Sequence, residues 1–191
     1  MNNDKDIVIT SAFRTPIGSF QGSLKDHKAT ELGTEIVKKC MEHSNLNGSE
    51  VDTVILGQVL QTGCGQNPAR QAAINSGIDK DKTATTINQV CGSGLAAVTL
   101  GFNSLKLNDT NIVIAGGQES MTNSPHYLNY RTEKNLSEEK LKDSMLIDGL
   151  IDAYDDYHMG VTAENVAEKY QITRNDQDNF ALNSQKKAIK A

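Results

Sequence analysis

Short strand-like segments alternate with helical segments along the first 117 residues of the chain. Two runs of apolar residues, 51–59 and 111–115, predict strands, and residues 29–43 repeat apolar side chains at the spacing of one helix face. Weaker strand patterns cover residues 7–10 and 83–90, and further helices are predicted from Asn67-Pro68 onward and over residues 93–107. This β-α-β-α-β-α-β order predicts an α/β fold, with a mostly parallel mixed sheet and helices on both faces.

The predicted core is aliphatic. Hydrophobic residues make up 37% of the 191 residues, aromatic residues only 5%, and tryptophan is absent. A core built on Val, Ile, Leu, Ala and Met suits layered α/β packing. In the helix at 29–43 the predicted buried face consists of Leu32, Ile36, Val37, Cys40 and Met41.

Charge and composition exclude several classes of partner. With 19 Lys and Arg against 24 Asp and Glu the net charge is −5, and no basic cluster occurs, so we expect neither nucleic acid nor membrane binding. No apolar run is long enough to span a bilayer. The first residues have neither signal-peptide nor transit-peptide character, which predicts a cytoplasmic protein. The three cysteines fit no zinc or disulfide spacing, so no metal is expected.

Cys91 is the leading candidate for a reactive residue. It follows the predicted strand at 83–90 and precedes the helix at 93–107. At such a junction unpaired N–H groups and the helix dipole favour the thiolate form of a cysteine. Gly92 and Gly94 allow a tight turn with uncovered backbone, whose N–H groups would stabilise the oxyanion formed when a thiolate attacks a carbonyl. The alternative is a small buried hydrophobic residue, as free cysteines often are.

A different function is suggested by the spacing of small residues after the same strand. Gly92, Gly94 and Ala97 fit a dinucleotide-binding fingerprint, with Glu119 as the candidate ribose ligand of a nicotinamide cofactor. The strand before this turn is polar, whereas the first strand of such folds is apolar and buried. The separation between these glycines and Glu119 also exceeds the usual spacing of about 20 residues between a dinucleotide fingerprint and its ribose ligand.

The pattern becomes irregular after Gly117. Residues 118–156 form a long stretch with a charged patch (TEKNLSEEKLKD), for which we expect a solvated helix or a flap. Two helices follow, at about 162–170 and from Arg174 onward, the second capped by Thr173.

Five motifs occur in a fixed order: Arg14-Thr15-Pro16-Ile17-Gly18, Gly65-Gln66-Asn67-Pro68-Ala69-Arg70, Asn88-Gln89-Val90-Cys91-Gly92-Ser93-Gly94, Ala115-Gly116-Gly117-Gln118-Glu119-Ser120-Met121, and Tyr157-His158-Met159-Gly160 with Thr162-Ala163-Glu164-Asn165. By these motifs and their order the chain resembles the thiolase family, CoA-dependent acyltransferases that make or cleave a 3-oxoacyl-CoA. Ketoacyl synthases share the cysteine turn but lack the second and fifth motifs.

The resemblance implies a role for each matching residue. Cys91 would be the nucleophile that takes the acyl group from an acyl-CoA. His158 would lie on a covering loop near the substrate thioester, Met159 would narrow the acyl pocket, and Leu150 would contact the CoA moiety. The implied activity is acetyl-CoA C-acetyltransferase, with CoA as substrate and product and no other cofactor. The remaining histidines, His27, His43 and His126, match no family motif.

The resemblance also implies an arrangement of domains. Residues 1–117 would form most of an N-terminal thiolase domain, and residues 118–191 the first part of a loop domain that binds CoA. A catalytic histidine in a Gly-His-Pro motif, a second cysteine in a Cys-x-Gly motif and a water-holding asparagine belong to a C-terminal domain, and these motifs are absent from the 191 residues. We therefore expect this polypeptide to have no turnover without a second half.

The sequence leaves alternatives for the oligomeric state, the acyl chain length and the catalytic role of the chain. Residues 131–141 lack the glycine-rich stretch that short-chain thiolases use near their tetramer contacts, which favours a homodimer over a tetramer. Family dimers pair through the strand before the nucleophile, here residues 83–90. A thiolase acting on longer 3-ketoacyl-CoA chains and a non-catalytic thiolase half are the alternatives.

Overall fold

The computed structural model describes residues 6–132 and 137–191. These residues fall into two compact units, Met1–Gly149 and Leu150–Ala191. The first unit contains a sheet with three helices, and the second consists mainly of two helices.

A parallel sheet of three strands is the centre of the first unit. Its elements are α1 (Ala29–His43), β1 (Thr53–Gly57), α2 (Pro68–Asn75), β2 (Thr83–Ile87), α3 (Ser93–Lys106) and β3 (Val113–Gly117). The strand order is β2-β1-β3, and Thr53 lies opposite both Thr83 and Val113. The three strands therefore end at one level, and the chain segments that leave them meet at one edge of the sheet.

The central strand β1 is buried along its whole length. Val54 and Leu56 pack with α1 and α2 in the main apolar cluster. On the opposite face, α3 packs against β1 and β3, and a Cβ at Gly101 would lie 3.0 Å from Val113 Cγ1. A strand covered on both faces needs apolar residues at successive positions, which explains the continuous run in the sequence.

Helix prediction was accurate in this unit. The helix at 29–43 is confirmed, and the Asn67-Pro68 start is confirmed because Asn67 Oδ1 accepts from Arg70 N at 3.2 Å. The buried face of α1, however, differs from the predicted one: Leu32, Ile36 and Cys40 are only partly buried. The buried residues at its centre are Thr30, Gly33, Thr34, Val37 and Met41. Gly33 lies against the Gln118 side chain, and a Cβ at this position would overlap Gln118 Oε1, so a larger residue would require the Gln118 side chain to move.

The strand predictions need correction. Residues 7–10 do not form a strand; Val8 and Ile9 are 70% and 80% exposed, and no strand of the described residues pairs with this segment. The strands predicted at 51–59 and 83–90 are shorter, and the one at 111–115 is shifted to Val113–Gly117. Gly116 and Gly117 thus belong to the strand, where they pair with Leu56 and Gly57.

The rest of the first unit is short elements joined by turns. They are β4 (His126–Tyr127) and β5 (Lys142–Asp143), which pair antiparallel, two 3₁₀ helices (Met121–Asn123 and Glu138–Lys140), and a π-helix (Leu146–Leu150) at the boundary with the second unit. Residues 133–136 of the charged patch, for which a helix or flap was expected, lie outside the described residues.

The second unit contains α4 (Met159–Lys169) and α5 (Arg174–Lys190). Thr173 caps α5 as predicted, since its Oγ1 accepts from Asp176 N at 3.2 Å and the Asp176 carboxylate accepts from Thr173 N. The Asp176 carboxylate also accepts from Thr173 Oγ1 at 2.6 Å, and this hydrogen bond, followed by the one from Thr173 N, holds the pKa of Asp176 below its ordinary value. Among the described helices, none is both long and apolar enough to cross a membrane.

Candidate active site

Cys91 lies in the turn between β2 and α3, at the edge where the parallel strands end. It is exposed, whereas Cys40 and Cys64 are partly buried. A hydrogen bond of 3.0 Å from Gly92 N to Gln89 O closes the turn. The described residues offer no acceptor to Gly94 N–H, in keeping with the unpaired donors of a helix's first turn. An exposed thiol is therefore followed, three residues later, by a backbone donor that has no acceptor among the described residues.

The strained residue of this turn is Val90. Its φ of +47° lies in the left-handed region, which a β-branched side chain rarely adopts. The neighbouring Gly92 has an ordinary φ of −83°, so the glycines do not supply the unusual backbone conformation. Such strain costs of the order of 1–3 kcal/mol and persists only where surrounding contacts enforce it.

Glycines at the strand ends allow α3 to approach the sheet closely. A Cβ at Gly57, the last residue of β1, would lie 2.5 Å from Ser93 Cβ and 2.8 Å from Gly94 N. A Cβ at Gly117, the last residue of β3, would lie 3.4 Å from Gly94 Cα. The first residues of α3 thus rest on the backbone of two strands, and this contact sets the height of the Cys91 turn above the sheet.

A buried polar cluster joins the segments that leave β1 and β3. Gln58 is 1% exposed, and its Oε1 accepts from Gln118 Nε2 at 2.8 Å. Gln58 Nε2 donates to Leu60 O at 2.8 Å and to Cys64 Sγ at 3.3 Å. The sequence did not predict that Gln58 and Gln118 form a buried polar cluster. The only local sign of that role was a glutamine directly after each apolar strand.

Glu119 belongs to the same junction. Its Oε2 accepts from Val59 N at 2.8 Å and from Leu60 N at 3.3 Å, so the carboxylate considered above as a ribose ligand is turned toward the β1 loop. Burial raises the pKa of the Glu119 carboxyl above its ordinary value, and the N–H groups of Val59, Leu60 and Ser120 oppose this shift. Its Oε1 is buried and has no hydrogen-bond partner among the described residues.

The motif around Asn67 connects α2 to the strand that leads to Cys91. Asn67 Nδ2 donates to Ala84 O at 3.0 Å, and Thr86 Oγ1 donates to Asn67 Oδ1 at 2.8 Å. The Arg70 guanidinium donates to the backbone carbonyls of Lys80 and Lys82, just before β2. These polar residues position β2.

His158, Met159 and Leu150 belong to the second unit. His158 is the N-cap of α4, and its Nδ1 accepts from Gly160 N at 3.0 Å. Because Nδ1 accepts, the neutral ring carries its proton on Nε2. Met159 is 39% exposed at the start of α4, and a bridge between Ile151 and His158 brings the residue after Leu150 beside the histidine.

The other histidines are exposed on the first unit. His27 lies 3.9 Å from Glu31, His126 lies 3.7 Å from Asp143, and the His43 ring packs edge-on against Phe13 at 5.1 Å. Over the described ranges, no group of three or more His, Cys, Asp or Glu side chains is arranged to hold a metal ion.

Comparison with known proteins agrees with the motifs. Residues 7–191 match the family model described as thiolase, N-terminal domain. The chain is 52% identical over 188 residues to an acetyl-CoA acetyltransferase of Pseudomonas aeruginosa, covering 98% of this chain and 48% of the relative. It is 52% identical over 185 residues to a probable acetyl-CoA acetyltransferase of Escherichia coli, covering 96% of this chain and 47% of the relative.

A solved structure agrees in fold. The crystal structure of the Acat5 thiolase from Ascaris suum in complex with coenzyme A superposes with a TM-score of 0.93 at 39% identity. The match covers 98% of this chain and 49% of that chain, so this chain spans about half the length of the relatives it matches. With the family model matched over residues 7–191, the chain belongs to the thiolase family.

Proposed function

We propose that this chain supplies the nucleophile of an acetyl-CoA C-acetyltransferase that acts in the cytoplasm. The observation that carries the proposal is the exposed Cys91 thiol at the β2–α3 junction. The relatives named acetyl-CoA acetyltransferase, about half identical to this chain, support the choice of acyl group. A thiolase of longer 3-ketoacyl-CoA chains is the alternative, and Met159 at the start of α4 favours the short acyl group.

The proposed reaction has two steps. In the first, the Cys91 thiolate attacks the carbonyl carbon of acetyl-CoA, and CoA leaves as a thiolate, which gives acetyl-cysteine. In the second, a base removes a proton from the methyl carbon of another acetyl-CoA, and that carbon attacks the acetyl-cysteine. Cys91 leaves as a thiolate, and acetoacetyl-CoA is the product. At the acetyl carbonyl, the first step replaces the CoA sulfur with the Cys91 sulfur, and the second step replaces the Cys91 sulfur with carbon. Both steps can run in reverse.

Backbone and imidazole donors are suited to the developing negative charge. Gly94 N–H, which has no acceptor in the described part of the chain, is our candidate for the oxyanion of the first step, together with Gly92 N–H if the turn opens. His158 would donate from Nε2 to a thioester carbonyl, since its Nδ1 is occupied by Gly160 N–H. Leu150 would contact the CoA moiety.

The proton-transfer groups are proposed to come from a C-terminal thiolase domain. This domain would carry the histidine, second cysteine and asparagine that the family resemblance requires and that residues 1–191 lack. Relatives about twice as long as the chain support this division. We also propose that residues 1–117 form the nucleophile domain and residues 118–191 the first part of the CoA-binding loop domain.

A groove in the first unit supports the proposal that a C-terminal half packs against this chain. It has a volume of about 680 Å³ and lies between the outer edge of β3 and residues 7–14, with α1 and α3 as its sides. No strand of the described residues pairs with that edge. An unpaired apolar edge between two packed helices is suited to one more strand. We propose that a strand of the C-terminal half fills this groove.

The oligomer is proposed to be a homodimer formed through β2. This strand is at the other edge of the sheet in the order β2-β1-β3, and it is only partly buried. Its threonine-rich sequence suits a strand that pairs with another polar strand.

Intact mass spectrometry tests the proposed function. The chain is mixed with the separately produced C-terminal half of the Pseudomonas aeruginosa relative, incubated with acetyl-CoA and mapped by peptide. We expect one added acetyl group on Cys91, none in a Cys91→Ala variant, and an undiminished yield in a Cys64→Ala control. A stable complex of the two halves in which Cys91 stays unmodified would overturn the catalytic proposal.

A further inference from the structure

We infer that Ser93 is a positioning residue for Cys91, an inference that rests on the proposed role of Cys91 as nucleophile. Ser93 is the first residue of α3 and only 4% exposed. Its hydroxyl accepts from Gln89 N at 2.8 Å and donates to Val90 O at 2.6 Å. Both partners precede Cys91, so one hydroxyl group bridges the two residues on which the orientation of the cysteine depends.

The bridge accounts for the left-handed conformation of Val90. Val90 O also accepts from Ser93 N at 3.1 Å, and Val90 N donates to Asn88 Oδ1 at 2.9 Å. The backbone groups on both sides of the strained Cα are therefore held by hydrogen bonds. Without them a valine would return to negative φ, and the peptide that carries Cys91 would rotate.

The position of Ser93 is fixed by the sheet. Gly57 at the end of β1 lies in contact with Ser93, since a Cβ added there would be 2.6 Å from the Ser93 carbonyl carbon. Ser93 thus transmits the position of the central strand to the turn: β1 holds Ser93, Ser93 holds Val90, and Val90 sets the direction of Cys91. Gly94, the proposed oxyanion donor, follows directly in the chain.

Alkylation of Cys91 by iodoacetamide in the 191-residue chain measures this effect without acetyl-CoA. The rate at neutral pH is followed by peptide mass, with Cys40 and Cys64 as internal references and the urea-unfolded chain as baseline. Ser93→Ala should lower the native Cys91 rate toward this baseline by about fivefold, the factor that loss of one ordinary hydrogen bond produces in a conformational equilibrium. The Cys40 and Cys64 rates should not change.

The matched control is Ser76→Ala. Ser76 is also buried, and its hydroxyl also donates to a backbone carbonyl, Ala73 O at 2.7 Å, but it lies at the end of α2. We expect a similar loss of thermal stability and an unchanged Cys91 rate. A Cys91 rate that falls equally in both variants, or that falls in neither, overturns the inference.

A second substitution separates positioning from a general structural role. Glycine adopts positive φ without strain, so Val90→Gly should restore at least half of the rate lost in Ser93→Ala. No restoration would contradict the inference. If Ser93→Ala does not fold, Asn88→Ala removes the exposed hydrogen bond to Val90 N and should lower the Cys91 rate in the same direction; an unchanged rate again overturns it. Failure of acetyl transfer with normal alkylation would refute the proposed function alone.

Discussion

At the scale of single residues, the space beside Gly57 decides how α3 rests on the sheet. A methyl group there would overlap the Cβ and carbonyl carbon of Ser93 at 2.5 and 2.6 Å. Because Gly57 belongs to a packed strand and Ser93 to a packed helix, neither residue can move away without disturbing its neighbours. The Cys91 turn therefore depends on a residue that carries no functional group.

We predict that Gly57→Ala lowers the free energy of unfolding by about 3 kcal/mol, the upper end of the usual cost of overpacking, because the added methyl group meets backbone atoms. The control is Gly116→Ala on the adjacent strand, whose added Cβ would meet only Leu56 Cδ2 at 4.0 Å. That variant should lose less than about 1 kcal/mol. Urea unfolding measures both, and equal losses would contradict the close approach of α3.

The sequence predicted some of these residues and not others. Cys91 was found because a cysteine at a strand-to-helix junction is recognisable from local pattern. The strain at Val90 was not predicted, because a valine ordinarily indicates a strand. The hydrogen bonds that hold Val90 come from the side chains of Asn88 and Ser93, which lie on either side of it in the chain. The burial of Gln58 could not be foreseen, since its partner Gln118 is 60 positions away in the sequence.

At the scale of elements, carboxylates join β1 to β3 at both ends. Before the strands, Asp52 Oδ2 accepts from Asn111 N at 2.7 Å and Ile112 N at 3.1 Å, which lowers the pKa of the Asp52 carboxyl. After the strands, Glu119 accepts from Val59 N and Leu60 N, but burial there raises the carboxyl pKa. The two junctions therefore respond to pH in opposite directions.

We predict that Glu119→Gln changes the pH dependence of stability. Burial raises the folded-state pKa of Glu119, so the folded chain holds its proton longer than the unfolded chain, and the contribution of this group falls as pH rises through the folded pKa. Glutamine keeps an acceptor for Val59 N and carries no charge. Its melting temperature relative to the unmodified chain should therefore increase between about pH 4 and pH 7.

Thermal unfolding in a series of buffers measures this difference, with Glu42→Gln at an exposed position as the control variant. A Glu119→Gln difference that is constant across the series would contradict a buried carboxylate at the junction.

Helices were easier to predict than strands for a physical reason. Asn67-Pro68 and Thr173 are local signals that act on their own helix, so the starts of α2 and α5 were confirmed. Strand limits depend on pairing, and β3 extends to Gly117 because Gly117 lies opposite Gly57. Residues 7–10 have strand composition, but no described strand pairs with them.

At the scale of the whole molecule, the groove beside β3 is the feature through which we propose that this chain docks with a C-terminal thiolase half. Ile9 lines it and is 80% exposed, so the side chain has little packing in the chain alone. A substitution at Ile9 should therefore change the association of this chain with a C-terminal half without changing the folding of the chain itself.

We predict that Ile9→Lys leaves the unfolding transition of the chain unchanged and weakens its association with the C-terminal half by about tenfold or more, because a charge enters an apolar interface. Ile17→Lys is the control, since Ile17 is 91% exposed and lies outside the groove. Titration calorimetry with the separate C-terminal half gives the affinities. Equal weakening by both substitutions would argue against the groove as the docking site.

The open edge of β3 also has a consequence during synthesis. A parallel, apolar edge that pairs with no strand of residues 6–132 or 137–191 is a template for any extended chain nearby, including another nascent copy of the same sequence. Correct pairing then competes with aggregation, and the competition depends on concentration. We expect slow translation at low temperature, or co-expression with the C-terminal half proposed to fill the groove, to increase the amount of this protein that stays in solution.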